Sequence, residues 1–402
     1  MFNLNNFISQ YVTKRTTSMF KPDIEANRDA LTAKIRGKSV LVIGGAGSIG
    51  SSFIKALLQF KPATLVVVDT NENALAELTR DLRSTKGMYV PVDYIPYPMD
   101  FASPVFEKMF WNRGGFNIVG NFSAHKHVRS EKDIYSVEAL LQNNVLHAKL
   151  LLDLLSEYSP EEYFCVSTDK AANPVNIMGA SKRIMEDVIF SYSDRFPVKT
   201  ARFANVAFSN GSLPAGFLAR IQKLQPLSAP SDVRRYFVSP EESGQICLLS
   251  CILGENRAIF FPKLAEAQMM TFDAIGTELL KAHGYEVLEC GSDEEAIDKA
   301  EELRNGSNLY PVHYAASDTS GEKPFEEFVT DTETADMDRF SSLGVITGKQ
   351  IPDKSRVEVL FENLNAAFDK ETTTKDEIVE IMKEYLPNFD HIETGKSLDS
   401  KM

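Results

Sequence analysis

Residues 40–58 read VLVIGGAGSIGSSFIKALL. An apolar run of strand length meets a run with helical spacing, and Gly44, Gly47 and Gly50 stand at the junction. Glycines at such a place allow a tight turn and let backbone N–H groups approach a pyrophosphate at the positive end of the helix. Ser48 and Ile49 complete that loop. A glycine pattern alone is weak evidence, but this one follows a strand and opens a helix. Asp69 follows 19 residues after Gly50, at the end of the next apolar run. A carboxylate there accepts hydrogen bonds from adenosine ribose hydroxyls and repels a 2′-phosphate, which favours NAD over NADP. Its other reading is a helix N-cap ahead of NENALAEL.

Working outward, SVLVIG (39–44), TLVVVD (64–69), FNIVGNF (116–122), EYFCVS (162–167) and VKTARFANV (198–206) are apolar runs of strand length. Helix-length stretches such as NALAELTRDLR and SVEALLQNNVLHAKLLLDLLSEY separate them. This alternation predicts an α/β protein, a Rossmann-like doubly wound parallel sheet with a smaller C-terminal substrate-binding lobe. The expected organisation is a helical extension over 1–36, a dinucleotide-binding domain over 37–210, a second lobe over 211–345 partly interleaved with it, and a helical tail over 346–402. GSDEEAIDKAEELRNGS (291–307) reads as a solvated helix. The amphipathic KDEIVEIMKEYLPNFDH fits packing on its own chain or on a neighbour.

The composition, 402 residues with 43% hydrophobic and 25% charged, is that of a globular protein with a large core. A net charge of −13 argues against nucleic acid or an anionic membrane surface as a partner. No apolar run reaches the length of a membrane span, and the opening lacks a signal-peptide pattern, so the expected location is the cytoplasm. The four cysteines, Cys165, Cys247, Cys251 and Cys290, show no Cys-x-x-Cys spacing, which fits a reducing compartment. Cys247 and Cys251 read as buried helix residues. His125 and His127 lack a partner at ligand spacing, so no metal site is expected.

The chemistry concentrates in STDKAANPVNIMGASK, Ser167 to Lys182. Lys182 stands one helical turn after Met178, on the same face. Asp169 and Lys170 sit where an apolar strand gives way to a loop containing Asn and Pro, which permits a turn. A thioether accepts hydrogen bonds only weakly, so Met178 cannot take a proton.

These segments, together with NFSAHKHV, RFANVAFSNGSLPAGF, SDVRRYFVSPEES and SGEKPFEEF, resemble the extended short-chain dehydrogenase/reductases. Within them, the chain is similar to the bacterial nucleotide-sugar 4,6-dehydratases of polysaccharide biosynthesis that act on UDP-N-acetylglucosamine. The resemblance spans roughly residues 38 to 345, and its Met-x-x-x-Lys spacing replaces the tyrosine common in the superfamily. It implies a tightly held, recycled NAD, oxidation at C4 of the sugar, loss of water across C5 and C6, and hydride return to C6.

By that resemblance Asp169 is the acid for the C6 oxygen and Lys170 the base for the C5 proton. A neutral Lys170 needs its pKa lowered from about 10.4. Lys182 is implied at the nicotinamide ribose. A water held by Lys182 and the hydroxyl of Thr168 or Ser167 is the expected route for the C4 hydroxyl proton. Asp100 and Ser123 match cofactor positions, and His127, Asn205, Arg235 and Glu322 match substrate positions. Asn144 and Lys323 belong to the same motifs, and Arg234 is the surface neighbour of Arg235. Self-association is expected, with the N-terminal segment and the C-terminal helix as candidate surfaces. The competing readings are a 4-epimerase or simple dehydrogenase, for which tyrosine at 178 is the norm, and a non-catalytic nucleotide-binding scaffold.

Overall fold

In a computed structural model the chain is described for residues 2–127, 131–317, 323, 325 and 327–392. Six strands in chain order carry the dinucleotide-binding pattern: β1 (Ser39–Ile43), β2 (Thr64–Asp69), β3 (Asp93–Pro98), β4 (Ile118–Asn121), β5 (Glu162–Thr168) and β6 (Val198–Phe203). They pair in parallel in the order β3-β2-β1-β4-β5-β6. Ile259–Pro262 adds a further parallel strand beside β6, and Leu343–Ile346 and Ala335–Asp336 extend the edge in antiparallel fashion. The sheet therefore draws strands from well beyond residue 210.

Both faces of the sheet are covered, which is why its strands are apolar at consecutive positions. Leu41, Ile43, Val66 and Val68 enter one core with Ile184, Val188 and Leu364. Val40, Val42, Leu65 and Val67 enter the other with Phe53, Leu57, Ile246 and Leu249. The two-residue period of a strand sends alternate side chains to opposite faces. Cys247 and Cys251 are fully buried on the Pro240–Leu253 helix.

A third core holds the smaller lobe, with Phe217, Leu227, Ile275, Leu279 and Tyr310. Here Glu286–Glu289, Leu309–Ala315 and Leu227–Pro230 form a three-stranded parallel sheet. The expected helix over 291–307 is two short helices, Asp293–Lys299 and Glu301–Arg304, that cross between two of these strands.

The N-terminal segment and the C-terminal helices each bury an apolar face within the chain. Phe7, Ile8 and Val12 join the smaller lobe's core, while Phe20, Ile24, Leu31 and Ile35 join a core of the large sheet. At the other end Leu360, Leu364, Ile378, Met382 and Phe389 pack with the residues behind the Ile177–Ser191 helix. Burying a Leu, Ile or Phe is worth roughly 1.5–3 kcal/mol, against about 0–1 for an exposed ion pair such as Lys354–Asp194. Apolar packing therefore decides where the tail lies. Among the described residues no helix is long and apolar enough to cross a membrane.

Candidate active site

The glycine loop closes between β1 and the Ser48–Leu58 helix. Gly44 has φ +69°, and a Cβ there would lie 2.6 Å from the Ser123 backbone nitrogen, so the residue after β4 approaches as only glycine permits. A Cβ on Gly50 would stand 2.4 Å from the Gly44 carbonyl oxygen. The helix begins at Gly47 with no side chain capping it, which leaves its first N–H groups for an anionic guest. Ser48 lies in that first turn, where its hydroxyl accepts the Asn210 N–H at 2.8 Å and ties in the loop after β6. Ile49 packs against the core below.

At the end of β2, Asp69 accepts the Ala46 N–H at 3.0 Å through Oδ2 and the Asn71 N–H at 3.0 Å through Oδ1. The N-cap of the next helix is Asn71, which accepts the Ala74 N–H. The capping reading of Asp69 is thereby replaced: the carboxylate braces the glycine loop. Asp100 is exposed and closes a local turn on the Ala102 N–H. Ser123 donates from its backbone and its hydroxyl to Asn121 Oδ1, both at 3.0 Å. These residues line the carboxyl ends of β1, β2 and β4, where open α/β sheets hold their ligands.

β5 ends in a single 3₁₀ turn, Asp169–Ala171. The turn puts two adjacent side chains at the crevice, as a straight strand would not. Asp169 is 5% exposed, and its Oδ1 accepts the Thr168 hydroxyl at 2.8 Å and the Lys170 N–H at 2.9 Å. Lys170 Nζ stands 4.0 Å from the same oxygen. Burial of this degree sets the pair apart from an ordinary surface ion pair.

The next helix, Ile177–Ser191, starts from Asn176, whose side chain accepts the Gly179 N–H at 2.7 Å. A Cβ on Gly179 would lie 2.7 Å from the Lys170 carbonyl oxygen, so this turn rests directly on the helix backbone. Met178 and Lys182 are both buried on this helix. Lys182 Nζ lies 3.2 Å from Met185 Sδ, and burial lowers its pKa against the opposing influence of Cys165 and Glu186.

Ser167 differs from the expectation. Its hydroxyl donates to Glu186 Oε1 at 2.8 Å, so its proton is committed to a buried carboxylate and Thr168 alone of the two faces the turn. Glu186 receives Arg202 through two hydrogen bonds, at 2.9 and 2.8 Å. Arg202 also bonds to Glu333 at 2.6 and 2.9 Å. Nothing in the spacing of these residues announced the network.

The loop after β4 is pinned by Asn144, which accepts the His125 N–H, donates to the His125 carbonyl (both 2.9 Å) and donates to Ser181 at 3.1 Å. Asn144 lies in a π-helical turn, Gln142–Leu146, a local break common at functional sites. His127 is exposed in the same loop, its ring against Gly211. Asn205 pairs with Phe237 in a short parallel ladder. Arg235 is buried and donates to the Arg234 and Lys323 carbonyls at 3.0 and 2.9 Å. Arg234 is exposed and pairs with Glu266. Glu322 lies outside the described residues. No cluster of metal-ligating side chains occurs among the described residues.

A doubly wound sheet with this glycine loop and a lysine one turn into the helix after β5 defines an extended short-chain dehydrogenase/reductase. Residues 40–346 match the polysaccharide biosynthesis protein family, and the chain belongs to it.

Among its relatives is an uncharacterized membrane protein of Methanocaldococcus jannaschii, 26% identical over 87% of this chain and 96% of its own. The capsular polysaccharide biosynthesis protein CapD of Staphylococcus aureus is 26% identical over 72% of this chain, which spans 48% of that relative's length. An inverting UDP-N-acetylglucosamine 4,6-dehydratase of Campylobacter jejuni is 26% identical over 57% of this chain and 67% of its own. In fold, the chain is similar to the dTDP-glucose 4,6-dehydratase DesIV of Streptomyces venezuelae, with TM-score 0.55, 19% identity, and 72% and 88% of the two chains covered. The wider family of relatives includes nucleotide-sugar dehydratases and epimerases.

Proposed function

We propose that the protein is a nucleotide-sugar 4,6-dehydratase acting on UDP-N-acetylglucosamine with tightly held NAD. The observation that carries this reading is the buried Asp169–Lys170 pair on a turn at the end of β5, against the helix of Met178 and Lys182. A 4-epimerase has no use for that pair.

The residues present suit a dinucleotide. The uncapped helix start at Gly47 offers N–H groups to the pyrophosphate, and Gly44 keeps that approach clear of a side chain. Asp69 stands at the ribose position and favours NAD. When bound, NAD would take hydride from C4 and return it to C6, making C5–H acidic through the intervening ketone.

The chain's own residues handle the protons. Lys170 in its neutral form removes the C5 proton, and Asp169 in its protonated form gives a proton to the departing C6 oxygen. Oδ1 of Asp169 accepts the Thr168 hydroxyl and the Lys170 N–H, which fixes the orientation of its carboxyl group. Lys182, with its pKa lowered by burial, is suited to hold a relay water for the C4 hydroxyl, since Met178 has no basic group to offer. Thr168 is the hydroxyl beside that route. Arg235 and Asn205, with His127 and Glu322, are assigned to the nucleotide sugar, the arginine to its diphosphate.

The test is incubation of purified protein with UDP-N-acetylglucosamine and no added cofactor. The expected product is lighter by one water, and heat denaturation is expected to release NAD. A C4-inverted sugar of unchanged mass would make the protein an epimerase. Bound nucleotide without turnover on any nucleotide sugar would make it a scaffold.

A further inference from the structure

We propose that Glu131 is a positioning residue for the proton-transfer groups, held in place by the chain's own C-terminal tail. The proposal rests on the dehydratase reading for its catalytic consequence. Its geometry does not depend on that reading.

Glu131 follows the β4 loop and is 8% exposed. Its Oε1 accepts the Met178 N–H at 2.9 Å. Met178 is the second residue of the Ile177–Ser191 helix, so Glu131 and the Asn176 side chain together satisfy two of the first N–H groups there. A carboxylate suits that end of the helix dipole. The same first turn carries Gly179, on whose backbone the Lys170 carbonyl rests. The height of this turn therefore sets where Asp169 and Lys170 stand relative to Lys182, one turn further on.

The tail reaches this point from two directions. Lys375 Nζ donates to the Glu131 carbonyl at 2.8 Å, and His391 Nε2 lies 3.9 Å from Glu131 Oε2. Beside them the Ile392 N–H donates to the Val175 carbonyl at 3.0 Å, in the loop between the catalytic turn and the helix. Phe389 is 3% exposed and anchors the segment in the core. At its far end Lys354 pairs with Asp194, just beyond the same helix. The tail thus grips the Met178–Lys182 helix at both ends, and its last described residues hold the loop that aims the acid–base pair.

The test uses full-length variants and two readouts. Hydrogen–deuterium exchange is followed at the amides of 175–181, with the amides of β1 and β2 as the internal reference. Turnover of UDP-N-acetylglucosamine is split into kcat and KM. For Glu131→Ala the expected result is faster exchange confined to 175–181 and a kcat loss of roughly 10- to 100-fold at unchanged KM, the scale of a misplacement near 1 Å. Glu131→Gln keeps an acceptor for the Met178 N–H and is expected to restore most of both. Ile392→Pro removes the donor to Val175 and is expected to move both readouts in the same direction by less.

Unchanged exchange at Met178 in Glu131→Ala, or equal loosening of β1 and β2 without rescue by glutamine, overturns the proposal. Should the wild type turn over no nucleotide sugar, the functional reading fails, and the exchange pattern still decides whether Glu131 and the tail hold this turn.

Discussion

The last two residues of β5 lead into two clusters of charged side chains with opposite construction. Ser167 points into Glu186, Arg202 and Glu333, side chains 0%, 0% and 3% exposed, whose charges meet in pairs of short hydrogen bonds. Thr168 and Asp169 lead into the 3₁₀ turn, where Lys170 Nζ and the carboxylate stand 4.0 Å apart. In the first cluster the charges are locked. Burial pushes the Glu186 and Glu333 carboxyls up, but Arg202, aided by Arg183 at Glu186 and Lys349 at Glu333, outweighs it, holding Glu186 below the usual range and Glu333 at about 2. Such groups stay charged and exchange no protons near neutral pH. In the second cluster the pair is looser, with no short hydrogen bond between its charges. A strand end is thus fixed on one side, beside the turn that carries the proposed acid–base pair.

The largest expected effect breaks the second cluster alone. Asp169→Asn should lower water elimination by about 10²- to 10⁴-fold, the usual worth of a positioned acid. NAD binding and urea stability should stay as in the wild type, as measured by fluorescence titration and denaturation.

Breaking the first cluster should do the reverse. Arg202→Met strips the shared partner from two buried carboxylates, leaving Glu186 with Arg183 at 3.6 Å and Glu333 with Lys349, and should cost up to about 3–5 kcal/mol in urea unfolding. Replacing all three by apolar residues should recover much of that loss.

The pH response sharpens the same contrast. Glu333 has a folded pKa of about 2 against an ordinary 4.5, so its contribution to stability is present above about pH 4.5 and is lost as pH falls toward 2. In Glu333→Gln the unfolding free energy should fall less across that window, measured by denaturant titration at each pH.

The smallest effect tests the contact between turn and helix. Gly179→Ala gains up to about 1 kcal/mol of helix propensity, yet its Cβ would stand 2.7 Å from the Lys170 carbonyl. Turnover should fall with little change in melting temperature.

The fold was legible because a strand buried on both faces writes a continuous apolar run, and glycines mark the one junction where backbone must approach a ligand. The places of Asp69, Asp169, Lys170, Met178 and Lys182 at strand ends and on the following helix were legible because they stand at fixed offsets from those runs. Partners distant in the chain were not. Arg202 meets Glu333 across 131 residues, and Lys375 meets the Glu131 carbonyl across 244. No local spacing encodes such pairs, and an isolated Glu or Lys reads as surface charge until the fold brings its partner. The same limit applies to the chain ends, whose amphipathic faces meet cores formed by residues far away in the sequence. β3, Asp93–Pro98, was only faintly marked, because an edge strand with two prolines lacks the apolar run of its neighbours.

In the proposed reaction Lys170 and Asp169 eliminate water across C5 and C6. Its most direct test is a proton NMR time course with UDP-N-acetylglucosamine in deuterated water, run on the wild type and on Lys170→Ala. A C6 methyl group and deuterium at C5 are expected for the wild type, and neither for the variant, which should still bind NAD. Wild-type formation of a C4-inverted sugar that keeps its C6 hydroxyl, or C5 deuteration by Lys170→Ala at the wild-type rate, would contradict it.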